Sequence, residues 1–140
     1  MSEPFRNPDP TAIKDLLKRI RTIAVVGLSP RPHRPSHGVA RAMQGFGFRI
    51  VPVRPGVTEV LGEKAYARLS DIPYAVDLVD VFRAAGHLPV IVEECLQLHI
   101  PALWIQEGIV NEAAASRARD GGIFTVMDRC IWKDYVALNT

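Results

Sequence analysis

The sequence predicts an α/β domain: a doubly wound, mainly parallel sheet of about five strands flanked by helices. Three observations carry that expectation. Short apolar runs rich in Val and Ile, of the kind required by strands buried on both faces, recur along the chain. Between them lie segments with apolar residues at helical spacing and short connections, so successive strands are joined by crossovers and run parallel. The 140 residues, 48% hydrophobic and 23% charged, suffice for one core and leave no room for a separate catalytic domain.

Each element has its own justification. Residues 1–9, polar and broken by prolines, read as a flexible arm ahead of a single domain over residues 10–140. Residues 11–21 set Ile13, Leu16, Leu17 and Ile20 on one helical face and Lys14, Lys18 and Arg19 on the other. Residues 22–26 are a β-prone run ending at Gly27, the expected central strand. After a proline-rich loop, Ser36 or its neighbour is expected to cap a helix bearing Val39, Ala40 and Met43, ended by Gly45 and Gly47. Residues 48–53 read as a second strand whose Pro52 marks its end or a position where no N–H is needed, and Arg54-Pro55-Gly56 as a turn.

Periodicity fails over residues 57–74, leaving a short strand at 58–61 and a helical turn at 69–72. Residues 75–82 form a third long strand, and Pro89 suits the first turn of a helix reaching about residue 99, with Ile91, Val92, Cys95 and Leu98 inward. Residues 102–105 are a strand. Asn111 caps a helix carrying Ala114, Ala115 and Ala118 that stops at Gly121 or Gly122, and residues 123–127 form the last strand.

Charge and cysteine content exclude several classes. Seventeen basic against fifteen acidic residues is too small an excess to indicate nucleic acid. Only Lys14, Lys18, Lys64 and Lys133 are lysines; the other basic residues are arginines, which can hold phosphate through paired hydrogen bonds. Cys95 and Cys130 cannot build a disulfide framework or a four-ligand zinc site, so a reducing compartment is expected. Residues 1–10 lack an apolar signal core and no later run approaches about 18 apolar residues. A cytoplasmic location without membrane attachment is the expectation.

In doubly wound sheets ligands bind beyond the carboxyl ends of the strands, where strand order reverses. Those ends are Gly27-Leu28-Ser29, Val53-Arg54-Pro55, Phe82-Arg83, Gln106-Glu107-Gly108 and Asp128-Arg129-Cys130. The loop from Gly27 follows a strand and precedes a helix, so its N–H groups and the helix dipole can face an anion, with hydroxyls from Ser29 and Ser36. The dinucleotide pattern G-x-G-x-x-G is not met, because Ser29 stands two after Gly27 and the loop holds Arg31, His33 and Arg34. An NAD site would place Asp or Glu at the end of the second strand; Arg54 there favours a phosphorylated ribose, as in NADP or coenzyme A. Gly108 permits a close backbone approach. No G-x-S-x-G elbow, Ser-His-acid set or metal-ligand spacing is present, since His33 and His37 would face together only if both were helical. Binding is therefore favoured over catalysis.

The ordered segments TIAVVGLS, RPSHGVARAM, GEKAY, DLVDVFR, PVIVEEC, ALWIQEGIVNEAAASRA and VMDRC, spanning residues 22–130, resemble the stand-alone CoA-binding protein family. This YccU-like group has a Rossmann-type domain similar to the N-terminal domain of the succinyl-CoA ligase α subunit. The resemblance implies coenzyme A or an acyl-CoA as ligand. It assigns Gly27, Leu28, Ser29, Arg34 and Ser36 to the pyrophosphate turn, Val53, Arg54 and Pro55 to the adenosine side, and Phe82 and Arg83 to the adjacent wall. Gln106 and Gly108 come from the Glu-Gly-Ile segment. Ligase activity is not implied, because the ligase's phosphorylatable His lies on a further domain and its nucleotide site on a partner subunit. Cys130 matches an Asn-Cys-Pro segment of the ligases, where a thiol could exchange with a bound CoA thiol; structural burial of Cys130 is the favoured reading. The expected function is thus CoA binding without catalysis. The alternatives are an NADP-binding oxidoreductase or nucleotide-responsive redox sensor, and a protein-interaction scaffold with a vestigial pocket. Neither nucleic acid nor membrane is an expected partner, and no protein partner is legible.

Overall fold

The computed structural model describes residues 3–139. The chain runs α1 (Pro10–Arg19), β1 (Thr22–Val26), α2 (Pro35–Gly45), β2 (Arg49–Val53) and the two-residue strands β3 (Glu59–Val60) and β4 (Glu63–Lys64). It continues through a 3-10 turn at Leu69–Asp71, β5 (Leu78–Val81), a second such turn at Ala85–His87, α3 (Leu88–Gln97), β6 (Ala102–Ile105), α4 (Glu112–Asp120), β7 (Phe124–Met127) and α5 (Ile131–Leu138).

Five strands form one parallel sheet in the order β2-β1-β5-β6-β7, while β3 and β4 pair antiparallel beside it. The chain leaves β1 to one side to make β2, then returns past β1 to begin β5 on the other side. The order therefore reverses between β1 and β5, which opens a crevice at the carboxyl edge between them.

Alternation along each strand divides the core in two. Ile23, Val25, Leu78, Trp104 and Val126 face α1, α2 and α5, meeting Leu16, Leu17, Met43 and Ile131. Ala24, Val51, Val79, Leu103 and Ile105 face α3 and α4, meeting Val92, Cys95, Ala115 and Ala118. Pro52 is tolerated because β2 is an edge strand, and its carbonyl accepts the Tyr66 N–H at 2.9 Å.

β5, not β1, is the central strand, and Leu98, expected inward after α3, is exposed; four further local expectations change. The third strand is shorter than residues 75–82, because the Asp77 carboxylate turns to accept the N–H groups of Arg21 at 2.8 Å and Thr22 at 2.9 Å. Ser36 does not cap α2: Pro35, with φ preset for a first turn, starts the helix two residues earlier than a Ser36 cap would, and Arg34 is the N-cap residue with no side-chain cap bond. The eight-residue helix α5 was not expected at all. Residues 3–9, read as an arm, make specific contacts: the Asn7 side chain exchanges two 2.8 Å hydrogen bonds with the Met127 backbone, and Phe5 packs on the α3/α4 side of the core. The Asn111 cap is as expected, its side chain accepting the Ala114 N–H at 3.0 Å.

Asp80 is the exception in the core. It lies in the central strand with Val25 and Trp104 as its register neighbours and is 1% exposed. Its Oδ1 has no hydrogen-bond partner among the described residues, and burial pushes its carboxyl well above the ordinary range. Among the described residues no helix is long and apolar enough to cross a membrane.

Candidate functional site

The carboxyl ends of the strands open into a cleft of about 1200 Å³ that extends from the turn after β2 to the start of α5. Its floor begins at Gly27. This residue has φ +87°, and a Cβ there would lie 2.5 Å from the Phe82 carbonyl oxygen, so only glycine lets the loop after β1 cross so close to the end of β5. The turn is tied on both sides: the Gly27 N–H reaches the Val53 carbonyl at 2.9 Å, and Arg54 Nη1 donates to the Gly27 carbonyl at 3.3 Å.

Beyond Gly27 two serines shape the loop. Ser36 Oγ accepts the Ser29 N–H at 2.9 Å, and Ser29 Oγ accepts the Arg31 N–H at 3.1 Å. A hydroxyl carries one donor and two acceptor positions, so each serine holds the loop while keeping its proton for a ligand. The loop delivers the N-terminus of α2 to the cleft with no side-chain cap and no acidic residue in its first turn. Pro35 has no N–H and the His37 and Gly38 N–H groups reach the Arg34 carbonyl at 3.1 and 3.2 Å, so the Ser36 N–H and the helix dipole are what favour an anion there.

The charge of the walls has the same sign. Arg31, Arg34, Arg54 and Arg83 line the cleft, and none of the four is ion-paired among the described residues. Arg83 Nη2 lies 3.1 Å from His87 Nε2. The remaining charged lining is Lys133 paired with Glu107 at 2.8 Å.

The far wall is built by the lead into α5. Trp104 Nε1 donates to the Arg129 carbonyl at 2.8 Å, and Gln106 Oε1 accepts the Ile131 N–H at 3.2 Å, substituting for the missing side-chain cap of that helix. Arg129 grips the buried Asp134 carboxylate with two bonds of 2.6 and 2.8 Å, which raises the guanidinium pKa further. Cys130, Trp132 and Lys133 thereby face the cleft.

Of the residues expected at the site, Ser29, Arg34, Ser36, Arg54, Pro55, Phe82, Arg83 and Gln106 line the cleft. Four do not. Leu28 is fully buried in the core on the α1/α2/α5 side, and Val53 is buried on the opposite side. Gly27 shapes the turn from beneath. Gly108 gives its N–H to Asp128 Oδ1 at 2.8 Å and stands outside the lining. Cys130 is buried yet forms part of the wall.

Sequence reasoning passed over Val57, Trp132 and Lys133 as site residues, all of which line the cleft, and gave no role to Arg31 in the loop or to Ile109 of the Glu-Gly-Ile segment, which line it too. For the α5 residues a signal existed: Ile131, Tyr135 and Leu138 recur at helical spacing after Cys130.

The comparisons with known proteins agree with this architecture. A family model described as a CoA binding domain matches residues 21–135. The chain is 45% identical to protein YneT of Bacillus subtilis (strain 168) over 127 residues, covering 91% of this chain and 94% of that one. A solved structure of Thermus thermophilus, cell-free ID.343, superposes with a TM-score of 0.89 at 34% identity, covering 94% of this chain and 99% of that one. A further relative is the ADP-forming acetate–CoA ligase II of Archaeoglobus fulgidus, 30% identical over 95 residues, 66% of this chain and 14% of the ligase. With the match running from the residue before β1 into α5, and the Rossmann-like sheet and crevice in the same order, the chain belongs to the CoA-binding domain family.

Proposed function

We propose that the cleft holds coenzyme A or an acyl-CoA and that the protein acts as a binding module without chemistry of its own. The observation that carries the reading is the concentration of anion-binding groups at one end. The uncapped N-terminus of α2, the two loop serines and four arginines free of ion pairs converge where a pyrophosphate and a ribose phosphate would both need neutralising. Family membership adds its weight, as does the likeness of two thirds of the chain to part of an acetate–CoA ligase. In this reading the adenosine end lies toward Arg54 and Pro55, the pyrophosphate against Ser29, Ser36 and Arg34, and the pantetheine arm runs past Phe82 toward Gln106 and Cys130.

Calorimetric titration with coenzyme A, NADP and NAD tests it. Coenzyme A is expected to bind well ahead of both dinucleotides. Arg34→Glu and Arg54→Glu should each weaken it by roughly 10- to 100-fold, the worth of a charge-assisted contact to phosphate. NADP binding tighter than coenzyme A would transfer the site to a phosphorylated dinucleotide. Absence of all three would leave the fold without this ligand.

A further inference from the structure

The cleft is divided by charge along its length. At the end served by β1 and β2 stand Arg31, Arg34, Arg54 and the N-terminus of α2, with Arg83 at the middle of the cleft beyond β5. At the end served by β6 and β7 the single cation, Lys133, is already neutralised by Glu107 at 2.8 Å. Beside that pair and Gln106 lies an apolar surface of Ile109, Cys130 and the indole of Trp132. Trp132 is 41% exposed although the next residue toward the chain's start, Ile131, is fully buried. A large aromatic left open on a cleft wall is surface that a ligand can remove from water.

From this division we infer that the ligand completing the cleft is an acyl thioester with a short apolar acyl group, seated against Trp132 and Ile109. The inference rests on the reading of the cleft as a coenzyme A site. Free coenzyme A would leave the indole wet. A thioester whose acyl group ends in a carboxylate would be disfavoured, because Lys133 has its counter-ion and the Glu107 carboxylate would face a second negative charge. Each methylene fully buried there would tighten binding by roughly fourfold.

Titrations of wild type with coenzyme A, acetyl-CoA, butanoyl-CoA and succinyl-CoA separate the possibilities. The expected order is butanoyl-CoA tightest, about tenfold ahead of coenzyme A, with succinyl-CoA no tighter than coenzyme A. The protein has two tryptophans, and Trp104 is fully buried, so an emission change specific to the acyl forms would report Trp132. Trp132→Ala should bring the ratio of butanoyl-CoA to coenzyme A affinity close to one, and Trp132→Phe should retain most of the preference. Equal wild-type affinities for coenzyme A and butanoyl-CoA, tighter binding of succinyl-CoA, or an unchanged ratio in Trp132→Ala would overturn the inference. Failure of coenzyme A and every thioester to bind would instead remove the coenzyme A reading beneath it.

Discussion

Asp80→Asn should change how stability depends on pH, and the structure fixes the sign. The carboxyl is buried in the central strand with an unpartnered Oδ1, so desolvation holds its pKa in the folded protein well above 3.8. In the unfolded chain it titrates near its ordinary value of about 3.9. The stability contributed by the neutral acid is therefore complete below about pH 4 and is lost as pH rises through the folded value, at about 1.4 kcal/mol per unit. The asparagine amide does not ionise, but its two N–H donors inherit the same unpartnered surroundings, a pH-independent cost of about 1–3 kcal/mol. The variant should be the less stable protein at pH 4, and its deficit should shrink as pH rises, because only the wild type loses the contribution of the neutral acid. Urea unfolding at half-unit steps from pH 4 to 8, followed by fluorescence of the buried Trp104, measures the difference directly. A difference that stays flat across this range would refute the claim that the core holds an unpaired, protonated carboxyl.

Four further outcomes are expected. Gly27→Ala should lose about 2 kcal/mol or more in thermal or urea unfolding, since it combines φ +87° with a Cβ 2.5 Å from the Phe82 carbonyl oxygen. Gly38→Ala, in open space within α2, should instead gain about 0.5–1 kcal/mol in the same assay. Arg129→Ala, by stranding a carboxylate whose side chain is 7% exposed, should cost about 1–3 kcal/mol, and Arg129→Lys should recover only part because the two-pronged contact needs the guanidinium fork. Maleimide labelling of the native protein should modify at most Cys130, which lines the cleft, and bound coenzyme A should slow it. Cys95 is fully buried with its thiol pushed up to about 12, and a label found there by peptide mapping would contradict the packing of α3.

What the sequence discloses of this molecule is what local chemistry determines. The strands β1 and β6 and the Asn111 cap are legible because an apolar run or a capping side chain acts within a few residues of itself. Topology puts the cleft at the strand ends, where Ser29 and Arg54 stand, while Arg34 is assigned by the resemblance to the CoA-binding family. The residues that stand outside the lining differ in cause: Leu28 is buried in the core directly after Gly27, and the Gly108 N–H is taken by a carboxylate twenty positions on. Ser36 looks like a cap in sequence, yet its oxygen serves Ser29 seven residues earlier. Asp80 sits in DLVDVFR, a string that reads as a plain buried strand with one polar interruption, and nothing nearby in sequence marks it as unpaired.

The contact of Asn7 with β7, and those of residues 3–5 with α4 and the core beside it, bear on the open edge of the sheet. A terminal strand of an open sheet offers free peptide groups to any other extended chain, and β7 occupies one end of this sheet. Asn7 meets Met127 as a neighbouring strand would, one amide hydrogen given and one received, while Arg119 holds the carbonyls of Glu3 and Pro4 at 2.7 and 3.0 Å. At Met127 the leading residues thus act as a selvedge, taking up the peptide groups with which another chain would begin a new row.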